Sequence, residues 1–549
     1  MMHKNQSVST HQFAMVPRAE IPRASFNMQR TYKTTFNAGL LVPVLCEEIL
    51  PGDSFNLKMT AFARMSTPIF PIMDNMYLDS FFFFVPNRLV WTNWVKFMGE
   101  QNNPADSISF VIPQTVSLAG GFTVGSLFDY MGLPTVGQVG GGNTISVNAL
   151  PLRAYMLIYD QWFRDENLQN ATILGTSFFG DGPDNQAGYV IQSRGKRKDY
   201  FTGALPWPQK GNTAVTLPLG TSATIRTSAS NLVTGAQTPM TFLQSSAGGA
   251  PTANRAIGIN NAGNAPSGTT TVTVESGTAY YPANLFADLS TATAATINQL
   301  RQSFQIQKLL ERDARGGTRY TEIVRSHFGV ISPDARLQRP EYLGGGTTPI
   351  IISPIAQQSA TGLTGGTTPQ GSLSAIGTML AHNHGFTQSF TEHGYVIGIV
   401  SVRADLTYQQ GLRKMWSRST RYDFYFPAFA MLGEQAILNK EIFADGSAND
   451  NNVFGYQERW AEYRYSPSQI TGLFKSTSAG TLDPWHLSQR FLALPTLNST
   501  FITETPPVSR ILAAGAAANN AQIIFDSFFN IKAARPMPLY SVPGLIDHF

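Results

Sequence analysis

Four consecutive phenylalanines, Phe81–Phe84, constrain the fold more strongly than any other stretch of the sequence. In a β-strand successive side chains point to opposite faces, so this run carries aromatic rings on both faces of its sheet. Such a strand has to be covered on each side, by another sheet, a long loop or a neighbouring subunit. We therefore expect it to lie inside a layered β-structure.

The residues before this run also favour strands. After a turn at residues 51–53, Phe55, Leu57 and Met59 alternate with polar residues, which is the period of a half-buried strand. The chain contains 48 glycines and 33 prolines, enough for the many turns that short strands need. These features predict a mainly β protein, a barrel or sandwich with enlarged loops. Further strand-like segments are residues 386–408 and 422–429.

Two helices are predicted among these strands. Residues 151–168 begin with a proline suited to a first helical turn and carry apolar side chains at helical spacing. Residues 297–315 follow a capping pair, Thr296 and Gln299, and end before two glycines. A few helices among many strands fit a β-fold with long insertions.

Composition changes abruptly at residues 209–282, where Thr, Ser, Ala, Gly and Asn dominate and charges are rare. We interpret this stretch as a surface insertion with short strands; a flexible linker is the alternative, although disorder usually brings more charge. The Gly- and Thr-rich stretch 344–377 is interpreted likewise. The predicted organisation is a basic N-terminal arm at 1–35, the first part of the β-fold at 36–208, the insertion at 209–282, and the remainder with C-terminal interface segments at 283–549.

Charged residues make up only 13% of the chain, against about a quarter in typical proteins. A free monomer usually keeps a well-charged surface for solubility. We expect a chain this poor in charge to cover much of its surface, most simply with copies of itself. The net charge is +4, and residues 1–35 account for all of it.

The basic arm is one candidate nucleic-acid contact, because each cation that neutralises a phosphate releases a condensed counterion. An ordinary solvated terminus would have the same composition. Two further clusters, at 194–200 and 413–422, put cations beside aromatic rings. Such clusters can hold phosphate and stack on unpaired bases, although subunit contacts or solvated loops would use the same residues. The candidate DNA-contact residues are Arg18, Arg23, Arg30, Lys33, Arg194, Lys196, Arg197, Lys198, Arg413, Lys414, Arg418 and Arg421.

The segment FGYQERWAEYR at residues 454–464 combines aromatics with arginines. These residue types are enriched at the centres of protein interfaces. A role in the core of the subunit is the alternative. The candidate subunit-interface residues are Phe454, Tyr456, Arg459, Trp460, Tyr463 and Arg464.

A search for chemistry finds no GxxxxGK phosphate-binding loop, no HExxH zinc motif and no GxSxG nucleophile motif. Cys46 is the only cysteine, which excludes intrachain disulfides and cysteine-based zinc sites. His382, His384 and His393 are the best metal candidates, because two histidines spaced by one residue lie on the same face of a strand. They lack an obvious third and fourth ligand, and loop histidines are the simpler interpretation. We predict no enzymatic activity, no catalytic residues, no metal and no cofactor.

The sequence contains no apolar run near the roughly 20 residues that a membrane span needs. Its first residues also lack the apolar region of a secretion signal. We therefore expect no membrane insertion, and residence in a cytoplasm.

Four blocks of the sequence resemble major capsid proteins of gokushoviruses, which are small icosahedral single-stranded DNA bacteriophages of the microvirus group. The hallmark is VFGYQERWAEYRYSPS at 453–468. The other blocks are PGDSFNLKMTAFARMSTPIFPIMDN at 51–75, FQIQKLLERDARGGTRYTEIVRSHFGVISPDARLQRPEYLGG at 304–345 and ARPMPLYSVPGLIDHF at 534–549. Because they follow the order of that family along the chain, a single borrowed module does not explain them.

This resemblance implies an eight-stranded antiparallel jelly roll with long loop insertions. It also implies that sixty copies form a T=1 icosahedral shell around circular single-stranded DNA, assembled in the bacterial cytoplasm and found in the virion. The partners it implies are the chain itself, a minor or pilot protein, a small basic DNA-packaging protein and a host surface receptor. The insertion at 209–282 is the natural place for a protrusion at the threefold axes that meets the host.

Two other classes of protein remain open. A β-rich carbohydrate-binding or carbohydrate-degrading phage protein would also explain the aromatics and the low charge. A degrading enzyme would require two converging carboxylates, and neither version explains the four blocks. A non-viral scaffold protein is the third interpretation.

Overall fold

The structure is a computed structural model. It describes residues 22–172, 179–211, 297–317, 320–329, 338–358, 371–405, 407–513 and 521–540, together with the backbone of four short strands between 224 and 288. The chain divides into two compact units, one formed by Met1–Pro208 and Asp313–Phe549 and the other by Gln209–Arg312.

The strands are β1 (Ala24–Phe36), β2 (Val42–Ile49), β3 (Ser54–Met65), β4 (Met76–Pro86), β5 (Gln114–Val116), β6 (Ser146–Asn148), β7 (Thr224–Thr227), β8 (Phe242–Gln244), β9 (Ala253–Arg255), β10 (Leu285–Asp288), β11 (Glu341–Pro349), β12 (Ile351–Ala356), β13 (Leu373–Ser389), β14 (Gly394–Ala404), β15 (Glu434–Leu438), β16 (Val453–Glu458) and β17 (Ile523–Arg535). The helices are α1 (Trp94–Phe97), α2 (Leu127–Tyr130), α3 (Leu150–Ile158), α4 (Ile297–Gly316), α5 (Tyr320–Phe328), α6 (Asn439–Ile442) and α7 (Ser499–Ile502).

Two large antiparallel sheets form the centre of the larger unit, which also contains the two-stranded sheets β5-β6 and β15-β16. One large sheet has the order β1-β17-β3-β13-β12 and the other β11-β4-β14-β2. When the edge strand β12 is left out and the other eight are numbered along the chain, the orders become 1-8-3-6 and 5-4-7-2. This is the nested, two-Greek-key connectivity of a jelly roll. The prediction of a mainly β fold is confirmed. The count of eight is not, because the two sheets contain nine strands in the described part of the chain.

The phenylalanine run of β4 is covered on both faces by its own chain. Phe82 and Phe84 lie in the core between the two sheets, where Phe82 packs 5.7 Å from the ring of Phe386 on β13. Phe83 points the other way, into a second core with Trp91 and α3. Each of these rings is at most 2% exposed, and full burial of one contributes about 2–3 kcal/mol. The predicted covering of both faces is confirmed.

The predicted helices differ in accuracy. The helix expected at 297–315 is confirmed as α4. The helix expected at 151–168 is shorter, because α3 ends at Ile158 and passes into a π-helical turn, Tyr159–Phe163, after which Arg164 is extended. The helical spacing of apolar residues in the sequence continues beyond Ile158, where the α-helical backbone ends.

The stretch 344–377 was interpreted as a surface insertion with short strands. It does contain strands, most of β11 and all of β12, but these belong to the two main sheets, where β11 pairs with β4. Gly345 permits this pairing, because a Cβ there would lie 2.0 Å from the carbonyl oxygen of Ser80 on β4. The strand expected at 422–429 is instead two 3-10 turns, Arg421–Asp423 and Pro427–Phe429, since the proline lacks the amide that a strand needs.

The N-terminal boundary also differs from the sequence interpretation. The arm was expected to reach residue 35, but β1 begins at Ala24 and pairs with β17 over 13 residues. Half-buried side chains alternate with exposed ones along β1, which is an edge strand of its sheet. Residues 1–21 lie outside the described part of the chain.

The smaller unit contains four short strands, of which β7 pairs with β10 and β8 with β9, all antiparallel. The insertion predicted at 209–282 falls within the limits of this unit. Apart from these strands and residues 209–211, the insertion lies outside the described residues.

Candidate assembly surface and nucleic-acid interface

The N-terminal candidate cations lie on or beside β1, except Arg18, which is outside the described residues. Arg30 is paired with Glu47 at 2.9 Å and Lys33 with Asp526 at 2.5 Å. The Arg23 guanidinium donates to the carbonyl oxygen of Gly52 at 2.6 Å. These three cations therefore make contacts within the subunit, and no free arm carries them.

The second cluster is split between the interior and the surface. Lys196 is only 8% exposed, its ammonium lies 2.7 Å from Oε1 of Gln489, and burial lowers its pKa to about 8. Arg194 is bonded to the buried Asp79. Arg197 and Lys198 keep 67% and 61% of their side chains exposed, although each contacts a carboxylate. Only the second half of this cluster is placed to meet an external phosphate.

Asp79 lies at the centre of a buried charge network. Arg194 and Arg403 both pair with it, and the Thr347 hydroxyl donates to it at 2.7 Å. Burial acts to raise the pKa of Asp79, but the bonds from Thr347 and Arg194 and the two guanidinium charges outweigh burial and lower that pKa. Nearby, burial raises the pKa of the Glu504 carboxyl to about 7. This network fixes the loop at Arg194 to β4 and β14.

The third cluster lies in and beside a cleft of about 680 Å³. Lys414 pairs with Glu441 at 3.4 Å, and Arg418 pairs with Glu462 at 3.1 Å. Arg421 lies outside the cleft, 5.4 Å from the ring centre of Phe426. We call this cavity the basic cleft and define it by its five lining cations, Arg413, Lys414, Arg418, Arg464 and Lys475.

The predicted interface segment turns mostly inward. Phe454 and Trp460 are 7% and 6% exposed, and the Trp460 indole donates to the carbonyl oxygen of Phe429 at 2.9 Å. The Arg459 guanidinium lies 4.6 Å from the Trp460 ring centre, and Tyr456 is half-buried with its backbone bonded to Leu205. Tyr463 is 52% exposed, and Arg464 pairs with Glu458. Within the segment, only the last two candidates present large side-chain surfaces to a neighbour.

Residues 412–432, which we call the aromatic loop, instead carry a dense series of exposed apolar side chains. Met431 is 96% exposed and Trp416 is 68% exposed. Residues 422–429 of this loop were expected to form a strand, and the exposure of their aromatic side chains was not predicted. The exposed apolar members are Leu412, Met415, Trp416, Tyr422, Phe424, Tyr425, Phe426, Met431 and Leu432.

The histidine candidates do not form a metal site in the described residues, which contain no group of three His, Cys, Asp or Glu suited to a metal. Both ring nitrogens of His384 are hydrogen-bonded, to Ser80 Oγ at 2.8 Å and Thr348 Oγ1 at 3.0 Å. A bulge between Ala381 and His384 also breaks the strand alternation that was to align His382 with His384. None of the helices within the described ranges is long and apolar enough to cross a membrane.

The nested two-sheet fold, the long connections and the exposed aromatic loop define a capsid-type jelly-roll protein. A family model described as "Capsid protein (F protein)" matches residues 14–545. The chain therefore belongs to this phage capsid protein family.

Three proteins called "Capsid protein VP1" are similar over nearly their whole length. The protein of Bdellovibrio phage phiMH2K is 47% identical, with 98% of each chain covered. That of Chlamydia phage 1 is 41% identical with 99% of each covered, and that of Spiroplasma virus 4 is 37% identical with 97% of each covered. The resemblance to gokushovirus capsid proteins is confirmed, and with it a structural role as a bacteriophage capsid protein that self-assembles and forms part of the virion.

Proposed function

We propose that sixty copies of the chain close a T=1 icosahedral shell around a circular single-stranded DNA genome, with assembly in the cytoplasm of the bacterial host. The observation that carries this proposal is the aromatic loop, which exposes large apolar side chains on a chain with only 13% charged residues. Contiguous apolar surface of this kind is costly on a free monomer and marks a protein contact. Closed symmetry repeats each contact many times, so modest interfaces add up to a durable particle.

The proposal extends to the other components. The insertion at 209–282 is proposed to form protrusions at the threefold axes and to contact a host surface receptor. A minor or pilot protein and a small basic DNA-packaging protein are proposed as further virion partners. Exposed cations such as Arg197 and Lys198 support contact with phosphates, and we propose no enzymatic activity.

Electron microscopy of the full-length chain, expressed with and without a circular single-stranded DNA genome, tests this function. We expect round particles of one diameter, and in the presence of the genome DNA that resists nuclease until the particles are disrupted. The icosahedral reconstruction gives the copy number. A chain that stays monomeric under every condition, or assembles into sheets or tubes only, would contradict the proposal.

A further inference from the structure

The basic cleft is built entirely from the larger unit. Its walls are formed by residues 407–418, by residues 462–475 and by Tyr200 and Phe201, with Glu441 at one side. A volume of about 680 Å³ lies within the usual range of roughly 300 to 1,000 Å³ for ligand sites. The cleft is therefore large enough for a small polar ligand or for one or two units of a polymer.

Charges lining the cleft do not balance. Five cations face two carboxylates, Glu441 and Glu462. Glu441 is bonded by Lys414 and by the Tyr200 hydroxyl at 3.1 Å, and Glu462 by Arg418 and by the Gln435 amide at 2.6 Å. Both carboxylates are thus satisfied inside the protein.

The excess positive charge lies on the remaining cations. Arg464, at the rim of the cleft, is paired with Glu458. Arg413 and Lys475 have no ion-pair partner anywhere in the described parts of the chain. Two unpaired cations on the wall of one cleft attract an anion, and phosphate is the group that such side chains bind with charge-assisted hydrogen bonds.

Aromatic rings form the other part of the wall. Tyr465 and Tyr200 are stacked, with ring centres 5.5 Å apart and planes 9° apart. Tyr463 is half exposed, and the Arg418 guanidinium lies 4.3 Å from its ring centre. Stacked rings beside arginine are the arrangement on which unpaired bases stack in single-stranded nucleic-acid sites.

We infer that the basic cleft binds a nucleotide segment of single-stranded DNA, with its phosphate held by Arg413 and Lys475 and its base against Tyr463 and Tyr465. The inference rests on the proposed enclosure of single-stranded DNA and adds the site at which it is held. A basic peptide does not fit the same site, because it would meet like charge.

Fluorescence anisotropy of the purified full-length chain with a labelled oligothymidylate of about eight nucleotides tests the site. The double variant Arg413→Ala/Lys475→Ala is expected to bind at least about tenfold more weakly near 0.1 M salt. Its plot of log affinity against log salt is expected to be shallower by roughly 1.4, since each lost phosphate contact on a single strand removes about 0.7. Because neither side chain has an ion-pair partner in the described chain, the fold should be unaffected, which circular dichroism and thermal unfolding check.

The matched control is Lys58→Ala/Arg64→Ala. It removes the same two residue types from the exposed face of β3, and its affinity should stay within about twofold of the unmodified chain. Equal loss in both double variants would overturn the inference, because bulk charge alone would then explain binding.

The Tyr463→Leu/Tyr465→Leu variant distinguishes the binding of a nucleotide from the binding of a bare anion. It should weaken oligothymidylate binding without changing the salt dependence or the binding of inorganic polyphosphate. Equal weakening of polyphosphate binding, or no weakening of oligothymidylate binding, would contradict a nucleotide site. Failure of the unmodified chain to form shells would count against the proposed function, whereas shells with undiminished oligothymidylate binding by the Arg413/Lys475 variant would count against the cleft alone.

Discussion

Two tryptophans illustrate the difference between side chains that stabilise the subunit and side chains that are exposed for contact with a partner. Trp460 is 6% exposed and Trp416 is 68% exposed. Both stand in segments rich in arginine and aromatics, so their sequence surroundings are alike. Trp460 is buried because segments of the fold pack around it, with the rings of Tyr425 and Tyr463 against its indole.

Trp460→Ala is expected to destabilise the subunit by about 3 kcal/mol or more, because it removes a buried indole and leaves a cavity. Trp416→Ala should leave the free energy of unfolding within about 0.5 kcal/mol and lower the yield of particles instead. Urea unfolding of the unassembled chain gives the first quantity, and sedimentation of assembled material the second. The interpretation fails if Trp460→Ala unfolds at the same urea concentration as the unmodified chain.

Glu504 gives the subunit a pH-dependent stability. Burial raises the pKa of its carboxyl from 4.5 to about 7, while its Oε1 accepts the Ala404 amide proton at 2.9 Å. The folded state therefore holds a proton that the unfolded state releases between about pH 4.5 and 7. The stabilising contribution is complete below pH 4.5 and is lost as the pH rises through 7, at a cost of at most about 3 kcal/mol. Arg194, Arg403, Asp79 and Lys196 are charged groups that interact with it.

Glu504→Gln stays neutral and can still accept the Ala404 proton. We expect the variant to lose less stability than the unmodified chain between pH 5 and pH 8, as measured by urea unfolding at both values. Glu100→Gln, at an exposed position, is the matched control and should not alter the pH profile. Parallel profiles for Glu504→Gln and the unmodified chain would show that Glu504 does not carry this dependence.

At the scale of elements, β1 shows how far a charge pattern can mislead. Its cations suggested a free arm, yet apolar and polar positions alternate along the strand and fit one face of a sheet. Pairing with β17 covers the backbone groups of a strand whose residues Phe525 and Phe529 lie in the core. The arm-like composition and the strand are compatible because an edge strand leaves one face in solvent.

Truncation distinguishes these two interpretations. A chain lacking residues 1–21 keeps β1 and is expected to unfold at the same temperature as the full chain. A chain lacking residues 1–36 exposes the edge of β17, and we expect loss of soluble protein or a much lower unfolding temperature. Thermal unfolding and soluble yield provide the measurement, and a stable, soluble product of the longer truncation would show that β1 is dispensable.

In the described part of the molecule, a well-filled interior is combined with an exterior that carries many exposed apolar side chains, nine of them in the aromatic loop. Three hydrophobic clusters fill the described interior, so the exposed side chains of the aromatic loop are not excess core residues. These side chains can be buried only by contact with another molecule, which in a capsid is most simply a neighbouring copy.

Met431→Asp is therefore expected to abolish particle formation while leaving the subunit folded, because a 96% exposed side chain contributes little to the core. Analytical ultracentrifugation should show monomer where the unmodified chain gives particles. Met73→Asp makes the same change at a 69% exposed position outside the loop and should still permit assembly. If only Met73→Asp blocks assembly, the contact lies elsewhere.

Local periodicity in the sequence determined the class of fold. The alternation after residue 53, the double-sided phenylalanine run and the helix predicted at 297–315 each reflect short-range geometry, and each appears in the structure. The four blocks that resemble the family predicted the biological role, and the similarity to known phage capsid proteins agrees with that prediction.

Tertiary structure alone decided which arginines and aromatics face outward. Arg194 and Arg197 are three residues apart, yet one pairs with a buried carboxylate and the other remains largely in solvent. The basic cleft likewise brings Arg413 and Lys475, 62 positions apart in the chain, to the wall of one cavity. The sequence carries no sign of such placement, because burial depends on the packing of segments that are distant along the chain, whereas periodicity reports only a residue's near neighbours.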